Sequence, residues 1–205
     1  TTALNNTAAR TLTTQVSDGS LTASTTSTVN ITAVNDAAVL STATANLTET
    51  NAVLTASGAL TISDVDSPAA FTAATLTGTY GSVTIDAAGN WSYTASSAHD
   101  EFVAGTTYTD TFSVASADGT TSSVVINILG TNDAAVLGSD TKNLTETNAV
   151  LTSGGTLSIS DVDSAATYVA QTGTAGTYGS FSIGTDGACT YTASSAHDAF
   201  VAGTT

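Results

Sequence analysis

The chain has 205 residues, with 17 acidic and two basic side chains and a net charge of −15 at pH 7. This balance argues against nucleic acid or an anionic membrane as a partner, because both bind clusters of Lys and Arg. Direct membrane insertion is also disfavoured, since no apolar run approaches the ~20 residues that span a bilayer. Hydrophobic residues make up 41% of the chain, enough for packed cores, and the single cysteine, Cys189, excludes an internal disulfide.

The chain contains an internal repeat. Asn35-Asp36 recurs at Asn132-Asp133, 97 residues later, and the string TASSAHD at 94–100 recurs at 192–198 after one inserted residue. We predict three segments: the C-terminal strands of a preceding, diverged repeat (1–34), a complete repeat (35–131) and a second repeat without its last two strands (132–205). Two interpretations remain open. The segments belong to a long tandem array, or neighbouring copies of the chain complete each other's repeats by lending strands.

Alternation of apolar and polar residues, interrupted by Gly, Asp and Asn, predicts strands throughout the complete repeat. The predicted strands span 46–55, 58–63, 71–79, 82–86, 90–95, 107–116 and 120–130. The only helical candidate is a turn at 98–105. About seven short strands in a repeat of this length predict an all-β fold, with tandem immunoglobulin-like sandwiches arranged head to tail. The residues predicted to fill the core are Val83, Ile85, Trp91, Tyr93, Phe112, Val114, Val124, Ile126 and Ile128.

The acidic residues are predicted to collect at the two ends of the sandwich. Tracing the strands places one set of loop acids at the first end: Asp64, Asp66, Asp86 and Asp118. The opposite end receives Asp100, Glu101 and Asp133, with Glu49 near them. Head-to-tail stacking would then bring Asp161 and Asp163 of the next repeat to face Asp133.

Carboxylates this close repel by about 1–4 kcal/mol per pair and need neutralisation. Oxygen ligands, with no second His or Cys in reach, suit Ca²⁺. We therefore predict calcium sites that fix the angle between repeats. The competing interpretation is that Asn-Asp and Asp-Val-Asp only supply turn chemistry.

The strings GTYGSVTIDAAGNWSYTA (78–95) and TYTDTFSVASADGTTSSVVINILGTND (107–133) resemble the VCBS repeat, a bacterial cadherin- and immunoglobulin-like module. The resemblance covers nearly all of 46–205. It implies extender repeats of a very large RTX-type adhesin, exported by type I secretion to the cell surface and used in attachment and biofilm formation. One departure is that Cys189 stands where the first repeat has Trp91.

The resemblance also implies calcium at the junctions between repeats, where a linker Asn-Asp is completed by an Asp-x-Asp of the next domain. That pattern maps onto Asn35, Asp36, Asp64 and Asp66, and then onto Asn132, Asp133, Asp161 and Asp163.

Other functions are less well supported. The string SSAHD contains Ser, His and Asp, but a catalytic triad is a spatial arrangement with an oxyanion hole, so we expect no enzyme. A self-assembling extracellular filament joined by strand complementation is the first alternative. A carbohydrate-binding module is the second, and it would require an exposed aromatic pair, whereas alternation places Trp91 in the core.

Overall fold

The computed structural model describes residues 8–203, which are all-β: this range holds 17 strands and no helix. The chain divides into two compact units. The first comprises the residues up to Thr48, Ala52–Ala98 and Thr107–Ile128, and the second comprises Glu49–Asn51, His99–Thr106 and the residues from Leu129 onward. No helix in the described range is long and apolar enough to cross a membrane.

The first two strands form a hairpin, β1 (Arg10–Ser17) with β2 (Thr22–Val29). Asp18 closes its turn: the Asp18 N–H donates to the Leu21 carbonyl at 3.2 Å, and its carboxylate accepts the N–H groups of Ser20 and Leu21. Every residue of both strands is exposed. The hairpin therefore has no packed face in this structure.

Nine strands follow in the segment predicted to be a complete repeat. They are β3 (Val39–Leu40), β4 (Ala43–Thr48), β5 (Thr55–Ala59), β6 (Ile62–Ser63), β7 (Ala74–Thr77), β8 (Gly81–Ile85), β9 (Asn90–Ala95), β10 (Thr107–Ala115) and β11 (Thr121–Leu129). A four-stranded sheet has the order β5-β9-β8-β7, a three-stranded sheet has the order β10-β11-β4, and β3 pairs with β6. The all-β fold class is confirmed.

The core lies between the four-stranded and three-stranded sheets, where Tyr93 of β9 meets Phe112 of β10 at 6.2 Å between ring centroids. All nine predicted core residues are buried, none with more than 6% of its surface exposed. Each strand alternates inward and outward side chains, so the apolar positions identified the inner face correctly.

Two predicted strands were wrong for the same reason: each is divided between two sheets in the structure. The predicted strand 46–55 is interrupted, because β4 pairs with β11 and β5 pairs with β9, so the chain crosses from one sheet to the other between them. The predicted strand 58–63 is likewise divided, since β5 and β6 belong to different sheets. The predicted strand 71–79 corresponds to the shorter strand β7. The candidate helical segment 98–105 forms turns.

The second repeat contains β12 (Val136–Leu137), β13 (Thr152–Thr156), β14 (Ile159–Ser160), β15 (Gln171–Ala175), β16 (Gly179–Ile183) and β17 (Ala188–Ala193). The sheet β13-β17-β16-β15 reproduces the four-stranded sheet of the first repeat, and β12 pairs with β14 as β3 pairs with β6. Residues 140–145, which correspond to β4, form no strand. Cys189, in the place of Trp91, is half-buried.

Candidate metal centre

Three carboxylates, from Glu49, Asp100 and Asp133, lie together in the second unit, each with an oxygen within 4.8 Å of the others'. Glu49 follows β4 directly and is 2% exposed. Its N–H donates to the Leu129 carbonyl at 2.8 Å, which continues the pairing of β4 with β11 by one residue. The end of a strand thus holds the backbone of Glu49 in place.

The carboxylate of Glu49 is oriented by Thr131. Its Oε2 accepts the Thr131 N–H at 3.3 Å and also the Thr131 hydroxyl. These bonds occupy Oε2, whereas Oε1 is buried and has no hydrogen-bond partner among the described residues. Thr131 was not among the residues predicted for the site, although it precedes Asn132-Asp133 directly in the sequence.

Asp133 is held by two short hydrogen bonds, and Asp100 lies on a turn that begins with a left-handed residue. Asn51 donates its side-chain N–H to Asp133 Oδ1 at 2.6 Å, and Asn132 donates to the Asp133 carbonyl at 2.6 Å. Asp100 follows His99, whose backbone has a left-handed φ of 65° and whose ring stacks on Phe102 at 4.5 Å. Asn51 is a further residue that sequence reasoning missed. It recurs at the same place in the second repeat, as Asn148, and that recurrence was the available signal.

Each member of this cluster has one buried carboxylate oxygen without a hydrogen-bond partner among residues 8–203: Glu49 Oε1, Asp100 Oδ1 and Asp133 Oδ2. Lys142, one of the two basic side chains in the whole sequence, binds Asp140 at 2.9 Å. The other, Arg10, lies on the exposed hairpin. Buried, unpartnered anionic oxygens are costly, and three neighbouring carboxylates match the oxygen-only ligand set of a hard cation.

Asp161 and Asp163 lie on the loop after β14, in the same unit. Asp161 Oδ1 accepts the N–H groups of Asp163 at 3.2 Å and Ser164 at 2.8 Å, and the Ser164 N–H is the main cause of its lowered pKa. The pKa of Asp163 is raised, first by burial and then by its interactions with Asp161. The charge of Asp133 adds to this, while the Asp133 N–H opposes it. Asp163 therefore lies beside the linker residue Asp133.

The corresponding group in the first unit is joined by hydrogen bonds. The Asp36 N–H donates to Asp66 Oδ2 at 3.1 Å, and Asn35 donates to Asp118 Oδ2 at 3.4 Å. Asp64 Oδ1 accepts the Asp66 N–H at 2.9 Å, so it has the turn role of Asp161. The predicted residues Asn35, Asp36, Asp64, Asp66 and Asp118 thus gather at one place.

In this first acidic group, Asp118 accepts hydrogen bonds from Ala38 and Thr120. Its pKa is lowered, first by the Ser116 hydroxyl and then by the N–H groups of Thr120 and Ala38. Within residues 8–203, however, three acidic ligand atoms come together at metal-binding spacing only at Glu49, Asp100 and Asp133. The two groups of acids are therefore not equivalent.

The architecture and the cluster define a class of protein: an all-β sandwich repeat protein that carries an acidic, oxygen-rich centre. Residues 35–130 match the bacterial cadherin-like domain family. A search of curated proteins gave no match. The predicted cadherin-like repeat is thereby confirmed for this segment. The family is a non-enzymatic, adhesion-type fold, typically of extracellular or surface proteins, and its domains generally bind calcium.

Proposed function

We propose that the chain is a calcium-rigidified structural spacer, made of VCBS-type extender repeats of a large RTX-type bacterial surface adhesin that supports cell attachment and biofilm formation. The observation that carries this proposal is the cluster of Glu49, Asp100 and Asp133, with three buried and unpartnered oxygens. The cadherin-like match over 35–130 supports an extracellular, non-enzymatic role.

Electrostatics favours a bound cation in this cluster. Two unit charges 4.8 Å apart repel by about 1 kcal/mol in water and about 3.5 kcal/mol at an effective dielectric of about 20. Three such pairs act at once here. A divalent cation reverses the sign of these interactions, because each carboxylate then gains an attraction that outweighs its remaining repulsions.

Calcium suits this ligand set better than other cations. It takes 6–8 oxygen ligands in flexible geometry, from carboxylates, amide and backbone carbonyls and water. Glu49, Asp100 and Asp133 supply carboxylates from three separate segments of the chain. Asp163, beside Asp133, and Asp161, which accepts the Asp163 N–H, are further candidate ligands. Zinc would instead favour His and Cys ligands.

The mechanical consequence is a stiffened linker. Asp133 lies in the linker between β11 and β12, while Glu49 directly follows β4 and Asp100 lies on the turn before β10. An ion held by all three ties the linker to the body of the preceding repeat. Without the ion, the like charges push the linker away. A tandem array of such repeats would then be extended with calcium and flexible without it.

The proposal is tested by thermal unfolding of the full chain, with calcium and then with excess chelator. An ion at 100 times its dissociation constant adds about 2.7 kcal/mol, which corresponds to about 5–10 °C for a chain of this size. Asp100→Asn should remove most of this gain.

The repeat itself provides the matched control, Asp198→Asn. Asp198 ends the same SSAHD string but belongs to no group of three acids in the described part of the chain. This variant should keep the full calcium effect. Coincident melting curves with and without calcium for the unmodified chain would contradict the proposal and leave the acids as turn formers.

A further inference from the structure

Strands β4 and β11 of the first repeat run in the same direction. Ser122 donates its hydroxyl to the carbonyl of Ser41, just before β4, at 2.6 Å, and Asn127 donates its side-chain N–H to Asn46 Oδ1 at 2.8 Å. Each contact joins residues that are 81 positions apart in the sequence. Since this separation stays constant along the two strands, they form a parallel pair.

The attachment of β4 to its sheet depends on β11. The strand order is β10-β11-β4, so β4 lies at an edge and hydrogen-bonds to β11 in the described part of the sheet. The half-buried side chains of β4 are Ala43, Ala45 and Leu47. Two of these are alanines, which bury little apolar surface, so the hydrogen bonds to β11 contribute much of the attachment.

Asn127 binds both neighbours of β11 with one side chain. Its N–H donates to Asn46 of β4, and its Oδ1 accepts the hydroxyl of Thr109 in β10 at 2.8 Å. β10 and β11 form an antiparallel hairpin, closed where the Ser116 N–H donates to the Thr120 carbonyl at 2.8 Å. The two bonds of Asn127 therefore cross two strand pairs of opposite type.

The two parallel strands are loaded in opposite directions when the repeat is stretched. The chain reaches β4 through β3, which pairs with β6 over two residue pairs, and it leaves the repeat after β11 at Asn132-Asp133. Tension on the chain at these two places pulls β4 toward its N-terminus and β11 toward its C-terminus. Because the strands are parallel, they must slide along each other, so their hydrogen bonds are strained together. Strands separated from one end would break the same bonds one after another.

We propose that the parallel pair β4–β11 is a mechanical clamp that bears tension transmitted along the chain. Rupture begins when β4 slides past β11, and the Asn46–Asn127 bond is a side-chain tie across the sliding pair. The tension-bearing role rests on the proposed spacer function, whereas the clamp itself requires no ion. Glu49 directly follows β4 and Asp133 lies in the linker after β11, so an ion bound at the metal centre would tie the same two strands further.

The direction of pulling tests the clamp in the full chain. One form carries optical-trap handles at Thr42→Cys and Ala134→Cys, and the other carries them at Thr42→Cys and Thr121→Cys. All three handle positions are exposed, and Cys189→Ser in both forms leaves no other thiol. The first form shears the pair, and the second peels it from the end where both strands begin. In chelator, at one constant force, rupture should be about a hundredfold slower in the first form, because about three bonds worth roughly fivefold each in rate must break together.

Two single variants separate the clamp from general stability. Asn46→Ala removes the bond that Asn127 makes across β4–β11, and Thr109→Ala removes the bond that Asn127 makes across β10–β11. Both replaced side chains are exposed, so neither variant disturbs the core, and both should lower the denaturant midpoint by similar amounts. In the shear form only Asn46→Ala should speed rupture, by about fivefold, because β10 and β11 do not slide in the first step.

Two results would overturn the proposal: equal rupture rates in the two pulling directions, or equal acceleration of shear rupture by Asn46→Ala and Thr109→Ala. Repeating the shear measurement in saturating calcium tests the metal centre separately. Slower rupture in calcium would support an ion that ties β4 to the linker. The same rate in calcium and in chelator would contradict the metal centre alone, while the dependence on direction and on Asn46 would still support the clamp.

Discussion

Replacing Glu49 by Gln should have opposite effects on stability with and without calcium. The carboxylate of Glu49 faces those of Asp100 and Asp133, with oxygens within 4.8 Å. Each pair repels by about 1–3.5 kcal/mol, depending on the effective dielectric. Asp100 is only half-buried, so the lower values apply, and removing two repulsions should stabilise the ion-free chain by about 2 kcal/mol. The amide oxygen of Gln can still accept the hydrogen bonds from Thr131.

With calcium the order should reverse. The unmodified chain gains about 2.7 kcal/mol at an ion concentration 100 times the dissociation constant. The variant loses a charged ligand and should gain less than about 1 kcal/mol. Thus Glu49→Gln should melt about 4–8 °C above the unmodified chain in chelator, and below it in saturating calcium.

Differential scanning calorimetry measures both melting temperatures, and Glu146→Gln is the matched control. Glu146 occupies the same position of the second LTET string but is not part of a group of three acids within residues 8–203. Its variant should shift both temperatures equally. If Glu49→Gln lowered the melting temperature by the same amount in both conditions, the carboxylate would have only a structural role.

Three further variants test the fold and the first acidic group. Asp110→Ala should destabilise the chain by about 2–4 kcal/mol in chemical denaturation, because the buried carboxylate accepts the N–H groups of Thr79 and Tyr80 at 2.8 Å each; a loss below 0.5 kcal/mol would contradict this role. Trp91→Cys should cost about 3–5 kcal/mol through the cavity it leaves, measured in the same way, and an unchanged midpoint would refute it. Hydrogen bonds lower the pKa of Asp118 in the folded chain, so its carboxylate stabilises the fold above the ordinary pKa near 4, and this stabilisation disappears as pH falls through the lowered value. The stability difference between the unmodified chain and Asp118→Ala should therefore be larger at pH 7 than at pH 2, and a constant difference would exclude ionisation as its source.

The core could be predicted from the sequence because burial in a strand depends on local alternation. Val83 and Ile85, or Val124 and Ile126, point inward whichever strand lies beside them. Strand continuity could not be predicted in the same way. Residues 46–55 read as one strand, yet β4 and β5 end in different sheets. That break depends on partners distant in sequence, which alternation does not reveal.

Only part of the candidate site could be predicted, again because some of its contacts join residues that are distant in sequence. The recurrence of Asn-Asp and Asp-Val-Asp made Asp133 and Asp163 candidates, because repeated spacing implies repeated geometry. The contribution of Thr131 depends on its contact with Glu49, 82 residues away, and Asn51 contacts Asp133 across the same separation. Thr is too abundant in this chain to be distinctive, and Asn is ordinary at turns. The repeats also concealed a difference, since among the described residues Glu49 joins a group of three acids while Glu146 does not.

The most direct test of calcium binding at the metal centre is isothermal titration calorimetry of the full chain with Ca²⁺, compared with the double variant Glu49→Gln, Asp133→Asn. The account predicts saturable binding with a dissociation constant of about 10⁻⁴–10⁻³ M or tighter. It predicts much weaker binding of Mg²⁺, and loss of at least one calcium equivalent in the variant. Identical titrations of the unmodified chain and the variant, or no binding to either, would contradict it.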